Sequence, residues 1–185
     1  RMWQSDKKSK FGHRILKKGD NGMKNPSKIK KWQLLSWRGK EECADLREES
    51  FFSVGKRAFG GRKRLGEVFL PEGMTVIKTE AFYNCRRLKR VVLPADGNVG
   101  ISGSAFHGCH RLQAIEGWER ITQIGPRAFE GCVLLREISP DGSLRRVGER
   151  AFRGCVSLRE VTVPASVSSL GKEAFAACTE LESVT

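Results

Sequence analysis

Ala81-Phe82-Tyr83-Asn84-Cys85-Arg86-Arg87-Leu88-Lys89-Arg90-Val91-Val92-Leu93-Pro94 is one of six statements of a single phrase. Its kernel is an Ala-Phe pair, with Cys four and Leu seven residues beyond the Ala and an aliphatic residue four before it. The pairs are Ala58-Phe59, Ala81-Phe82, Ala105-Phe106, Ala128-Phe129, Ala151-Phe152 and Ala174-Phe175, at intervals of 23, 24, 23, 23 and 23 residues. A fixed period in this range marks stacked structural repeats, in which no unit buries its apolar residues alone. The Phe column is therefore expected to be the central buried stripe.

Other columns repeat with it. Leu65, Leu88, Leu112, Leu135, Leu158 and Leu181 are each followed three residues later by Val68, Val91, Ile115, Ile138, Val161 or Val184. In the regular units Leu70, Leu93 and Val163 come next and are closed by Pro71, Pro94 and Pro164. This alternation predicts a short strand that ends at the Pro, which cannot continue a ladder. Six rungs at strand spacing would give an array ~25–30 Å long. A second aliphatic pair precedes the next Ala-Phe, as in Met74/Ile77, Ile121/Ile124, Leu144/Val147 and Val167/Leu170. Just before the Cys position stand Gly61, Asn84, Gly108, Gly131, Gly154 and Ala177. Gly and Asn tolerate left-handed backbone, so a tight corner is expected there.

The formal charge of +13 is unevenly spread. Residues 1–40 hold thirteen Lys and Arg against Asp6 and Asp20, whereas residues 41–185 hold twenty-one against nineteen acids. Residues 1–40 read as a basic, disordered extension, within which Ile29, Trp32 and Leu35 share one side of a short amphipathic helix. Lys7, Lys8, Lys17, Lys18, Lys28, Lys30, Lys31, Trp32 and Trp37 make nucleic acid or an anionic membrane the candidate ligand of this segment. Residues 41–53, with Cys43, Leu46 and Phe51, read as a capping helix or degenerate half-repeat, since terminal repeats need atypical caps. Residues 54–185 then carry six repeats. The chain opens on Arg1 and stops at Thr185 at what reads as the start of a seventh unit, so a partial sequence is expected. Neither a signal peptide nor an apolar run of transmembrane length is visible, and the compartment is left open between cytoplasm and cell surface.

The phrase Leu-x-x-Val-x-Leu-Pro, then two spaced aliphatics, Gly and Ala-Phe-x-x-Cys, resembles the BspA-like surface-antigen class of leucine-rich repeats over residues 54–185. The resemblance implies an α/β leucine-rich-repeat solenoid: a right-handed horseshoe with a parallel sheet of short strands on one face, and turns and short helical segments on the other. It also implies a non-enzymatic role in protein binding or adhesion. Three departures stand out: Arg62 in place of Cys, Gly117-Trp118 in place of Leu-Pro, and Ser139-Pro140 shifting a strand end. They are expected to disturb the regularity of the sheet locally.

Cys85, Cys109, Cys132, Cys155 and Cys178 recur once per rung, which gives a line of thiols and not a tetrahedral cluster. They read as small buried hydrophobes. His107, Cys109 and His110 are adjacent in sequence, but a buried Cys between two variable positions is expected to diverge from the histidines. No nucleophile elbow, P-loop, zincin or dinucleotide motif occurs, so no catalytic residue, cofactor or small-molecule substrate is expected. If the Leu and Val positions of each strand point inward, Glu67, Phe69, Arg90, Val92, Ala114, Glu116, Glu137, Ser139, Glu160 and Thr162 point outward. This face is expected to bind a protein partner, with Glu116, Glu137 and Glu160 as an acidic track. Arg86, Arg87, Lys89, Arg145, Arg146 and Arg153 are expected on a separate basic edge. Two other readings stand beside this one: binding through the basic N-terminal segment with the repeats as scaffold, and a sensor fragment of a larger receptor or enzyme.

Overall fold

The computed structural model describes residues 27–30 and 32–185. The first strands are β1 (Ser27–Lys30), β2 (Gln33–Trp37), β3 (Cys43–Asp45), β4 (Ser53–Val54) and β5 (Glu67–Phe69). They are followed by β6 (Val76–Ile77), β7 (Arg90–Val92), β8 (Val99–Ile101), β9 (Ala114–Glu116) and β10 (Ile121–Ile124). The last are β11 (Glu137–Ile138), β12 (Arg146–Val147), β13 (Glu160–Val161), β14 (Ser169–Leu170) and β15 (Ser183–Val184). The chain coils as a leucine-rich-repeat-type solenoid of about seven turns. Each turn contributes one strand to each of two ladders. The first ladder is continuous, in the order β1-β2-β4-β6-β8-β10-β12-β14, and is parallel except at β1. The second is parallel and comes in two pieces, β3-β5-β7-β9 and β11-β13-β15.

Two expectations are corrected here. The fold is β and not α/β: the only helical element among the described residues is a single 3-10 turn, Trp118–Arg120. Sheet also occupies two faces of the coil and not one. The backbone explains both. Arg57, Glu80, Ser104, Arg127, Arg150 and Glu173, just before each Ala-Phe, have φ between 55° and 58°. Gly61, Asn84, Gly108, Gly131, Gly154 and Ala177, three residues after the Ala, have φ between 56° and 76°. Left-handed residues at both ends leave a run of three, too short for one helical turn of about 3.6 residues. The second aliphatic pair, with no room for a helix, extends and pairs between coils, as in Val76↔Gly100 and Ile77↔Ile101.

Ala177 is the exception in a column otherwise of Gly and Asn, an alanine held at φ 58°. Replacing it with glycine removes a Cβ penalty of about 1 kcal/mol and no side-chain bond. Ala177→Gly is expected to raise the thermal midpoint by a few degrees, read by circular dichroism.

The N-terminal expectations also change. β1 and β2 pair antiparallel in place of the expected amphipathic helix in a disordered extension, and β2 enters the first ladder through Gln33↔Ser53 and Leu34↔Val54. Leu34 thus occupies the inward aliphatic position of a preceding coil. Trp37 is 4% exposed and lies 5.9 Å from Phe59, closing the end of the aromatic column. Residues 43–45 are a strand in register with Glu67–Phe69, not a capping helix.

Inside, the Phe rings stack in one file. Centroids are 4.6, 4.9, 5.1, 5.2 and 5.3 Å apart from Phe59 through Phe82, Phe106, Phe129 and Phe152 to Phe175, with planes within 9° of parallel. The second ladder breaks where Gly117-Trp118 replaces Leu-Pro. Gly117 turns left-handed at φ 97°, and Trp118 folds inward against Phe129 and Phe152. Strand β9 therefore ends without pairing to β11.

Candidate protein-binding face

The outward side chains of the second ladder lie in register in two files: Glu67, then Arg90, then Ala114, and Asp45, then Phe69, Val92 and Glu116, each beside the next. Val68, Val91 and Ile115 alternate with them into the core. Arg90 is the hub. Its guanidinium bonds Glu116 at 2.8 Å, approaches Glu67 at 3.6 Å and lies 5.1 Å from the centre of the Phe69 ring. Arg47 takes another position over the same ring at 4.8 Å and is tied to Asp45 by bonds of 2.9 and 2.5 Å. Those bonds hold the Asp45 carboxyl below the usual carboxylate range. Phe69 is thus an aromatic surface fixed by two cations, each anchored by carboxylates.

Glu116 does not continue into Glu137 and Glu160. Its carboxylate is engaged by Arg90, and the break in the ladder separates β9 from β11. Glu137 and Glu160 are paired neighbours in the other piece of sheet, where Glu137 accepts a hydrogen bond from Ser139 and Thr162 meets Thr185 at 3.4 Å. The face is therefore two patches, one with an aromatic centre and one acidic. Asp45 and Arg47 are absent from the expected surface because residues 41–53 read as a cap or degenerate half-repeat, to which no outward positions are assigned. The signal lay in Cys43-Ala44-Asp45-Leu46, which copies the alternation of Glu67-Val68-Phe69-Leu70.

Of the cationic and aromatic residues nearer the N-terminus, Lys28 and Lys30 are exposed on β1, and Trp32 is 60% exposed and stacks on Phe52 at 5.7 Å. Trp37 is spent in the core. Lys7, Lys8, Lys17, Lys18 and Lys31 lie outside the described residues. Cys109 turns inward to the Phe82 carbonyl, His107 stacks on Tyr83 at 5.2 Å, and His110 is exposed. These three side chains do not converge, and among the described residues no group of three or more His, Cys, Asp and Glu could hold a metal ion. Beneath the break, a void of about 10 Å³ is lined by Trp118, Ile138, Pro140 and neighbouring apolar side chains. It has room for a water molecule and no more.

Six copies of the BspA-type leucine-rich-repeat region match residues 46–139 and 99–185. The chain belongs to the BspA-type leucine-rich-repeat family. Proteins built from BspA-type repeats are generally non-enzymatic binding modules. A T. pallidum leucine-rich-repeat protein superposes with a TM-score of 0.57 at 29% identity, over 82% of this chain and 62% of that one. A leucine-rich cell surface protein of Faecalibacterium prausnitzii gives 0.57 at 25% identity, over 83% of this chain and 49% of that one. A leucine-rich-repeat protein of Eubacterium ventriosum gives 0.73 at 20% identity, over 83% and 42%, a likeness of fold alone. The chain thus spans less than two thirds of the length of each of these three leucine-rich-repeat proteins. No curated protein matches the sequence.

Proposed function

We propose that this BspA-type solenoid binds a protein partner, as an interaction or adhesion module, through the face carried by β3, β5, β7 and β9. The observation that carries this reading is the Phe69 ring held by Arg47 and Arg90. Aromatic and Arg side chains dominate binding hot spots, and a side chain already fixed in place loses little entropy on docking. Val92 extends the apolar centre, and Glu67, Arg90 and Glu116 give it the polar rim that interfaces require. Glu137, Glu160 and Thr162 extend the contact along the solenoid and select a partner with basic character opposite them. A surface setting is in keeping with the F. prausnitzii relative, described as a cell surface protein.

The test is capture of a partner by the full chain at high salt, followed by titration of the identified partner against variants. Phe69→Ala is expected to weaken binding by about thirtyfold, the loss of a 2 kcal/mol hot spot. Glu137→Lys with Glu160→Lys is expected to slow association more than it speeds dissociation. Binding untouched by Phe69→Ala and abolished by Gln at Lys7, Lys8, Lys17 and Lys18 would instead place recognition in the basic N-terminal segment.

A further inference from the structure

The turn between each Cys position and the next Leu faces solvent, and the residue just beyond that Leu is hydrogen-bonded in register from coil to coil. The Lys89 N–H donates to the Gly66 carbonyl at 2.7 Å, and the Gln113 N–H donates to the Lys89 carbonyl at 2.9 Å. Equivalent residues of successive coils therefore stand about one strand spacing apart, ~4.8 Å. In the three turns after Phe59, Phe82 and Phe106 this registry piles cations on cations. Lys63 aligns with Arg86, Arg64 aligns with Arg87 and Arg111, and Lys89 flanks them; all six are exposed. Among the described residues, none of the six takes part in an ion pair, whereas Arg47, Arg57, Arg90 and Arg150 all do. The equivalent positions of the next two coils are Val133-Leu134 and Val156-Ser157, so this concentration of charge is no requirement of the coil.

Stacked like charges repel, and an anion laid across them relieves the repulsion. The surroundings narrow the class of anion. Among the described residues the exposed large apolar side chains are Trp32, Phe52, Val156, Leu170 and Val184, none of them in these three turns. The nearby Tyr83 ring already has a face covered by His107. A protein partner docks on an apolar anchor, and single-stranded nucleic acid stacks its bases on aromatic platforms; these turns offer neither. They offer guanidinium forks and ammonium groups in rows, which match a chain of oxyanions that carries no bases. We infer that Lys63, Arg64, Arg86, Arg87, Lys89 and Arg111 form a binding corner for a linear sulfated polysaccharide. The corner is built from residues other than the Phe69 face, so the solenoid has two independent binding surfaces.

The test uses the full chain with heparin as probe, titrated across a range of salt concentrations. Arg86→Gln/Arg87→Gln/Arg111→Gln is expected to weaken heparin binding by about tenfold or more and to flatten its salt dependence, because fewer counterions are exchanged. The single variant Arg87→Gln is expected to show a smaller loss in the same direction, which keeps the test decisive should the triple variant fail to fold. Heparin stripped of its sulfates is expected to bind as weakly as native heparin binds the triple variant. Phe69→Ala is expected to leave heparin binding unchanged, so failure here and failure of the protein-binding reading are distinguishable. Three outcomes overturn the inference: unaltered heparin binding by folded triple and single variants, loss of binding on Gln substitution at Lys7, Lys8, Lys17 and Lys18, or preference for single-stranded DNA or polyglutamate over heparin.

Discussion

Phe106→Ala is expected to destabilise the solenoid by about 3–5 kcal/mol, comparable to the whole stability margin of a small array. The ring is fully buried, with Phe82 at 4.9 Å on one side and Phe129 at 5.1 Å on the other. Its removal therefore leaves a cavity and also deletes two stacked contacts, each worth about 0.5–1.5 kcal/mol beyond area burial. In a solenoid each coil touches only its neighbours, so a weak rung divides the array. The coils on the C-terminal side of residue 106 are expected to lose cooperativity with those on the N-terminal side. Urea unfolding followed by hydrogen exchange would show this as two transitions where the parent has one. Phe175→Ala, at a half-buried ring stacked on Phe152, is expected to cost less than half as much. A Phe106→Ala chain that unfolds in one step within about 1 kcal/mol of the parent would contradict the aromatic file as the core.

The file itself was legible because a period of 23 residues and a column of Phe leave few other ways to bury the rings. The choice between helix and strand on the remaining face was not legible, and the reason lies in the residues before each Ala. Arg57, Glu80, Arg150 and Glu173 are not residues that announce left-handed backbone, yet all adopt it. Their side chains answer to the neighbouring rung: Arg57 binds Glu80 at 2.5 Å and Arg150 binds Glu173 at 2.7 Å. Each guanidinium holds its carboxylate partner below the usual range, so these pairs strengthen the coil contacts above that range and weaken as pH falls through it. The corner at Gly61, Asn84 and Gly108 was legible because there the backbone alone chooses the residue.

Partnership across coils hid part of the surface in the same way. Alternation sufficed to place Glu67, Phe69, Arg90, Val92 and Glu116 outward. It could not show that Arg90 and Glu116 neutralise each other from β7 to β9, because that pairing depends on register 26 residues away in sequence. Nor could it separate Trp37 from Trp32. Both stand in a basic segment, but one completes the aromatic file and the other lies on the surface, a difference set by the hairpin that delivers them.

The cysteine column carries the second large expected effect. Native chain at pH 8 is expected to react with a disulfide reagent at Cys43 and Cys178, while Cys85, Cys109, Cys132 and Cys155 are protected by about a thousandfold or more relative to urea-unfolded chain. Two causes act together. The four protected thiols are buried, and burial pushes Cys109 and Cys132 well above the ordinary thiol range, so their reactive thiolate is scarce as well as inaccessible. Cys85 and Cys43 are both pushed up to about 11, chiefly by burial, so access alone separates that pair. Each thiol also has structural work in the protonated form. Cys132 Sγ donates to the Phe106 carbonyl at 3.2 Å, an oxygen that already accepts the Cys109 N–H at 3.1 Å, and the same double acceptance recurs at Phe82 and Phe129. The thiol is thus a bond between coils. The first unit, whose predecessor has no Ala-Phe pair, carries Arg62 in its place. Because folding raises these thiols, the folded chain holds their protons longer than the unfolded chain. Their contribution is complete below the ordinary thiol range and is lost as pH climbs through and above it. The urea midpoint is expected to fall as pH is raised above 9.0, and to fall less steeply in Cys109→Ala/Cys132→Ala. Modification of native Cys132 as fast as Cys43 would mean that the coils open locally at the core, and the column would then be a reactive edge instead of a seam.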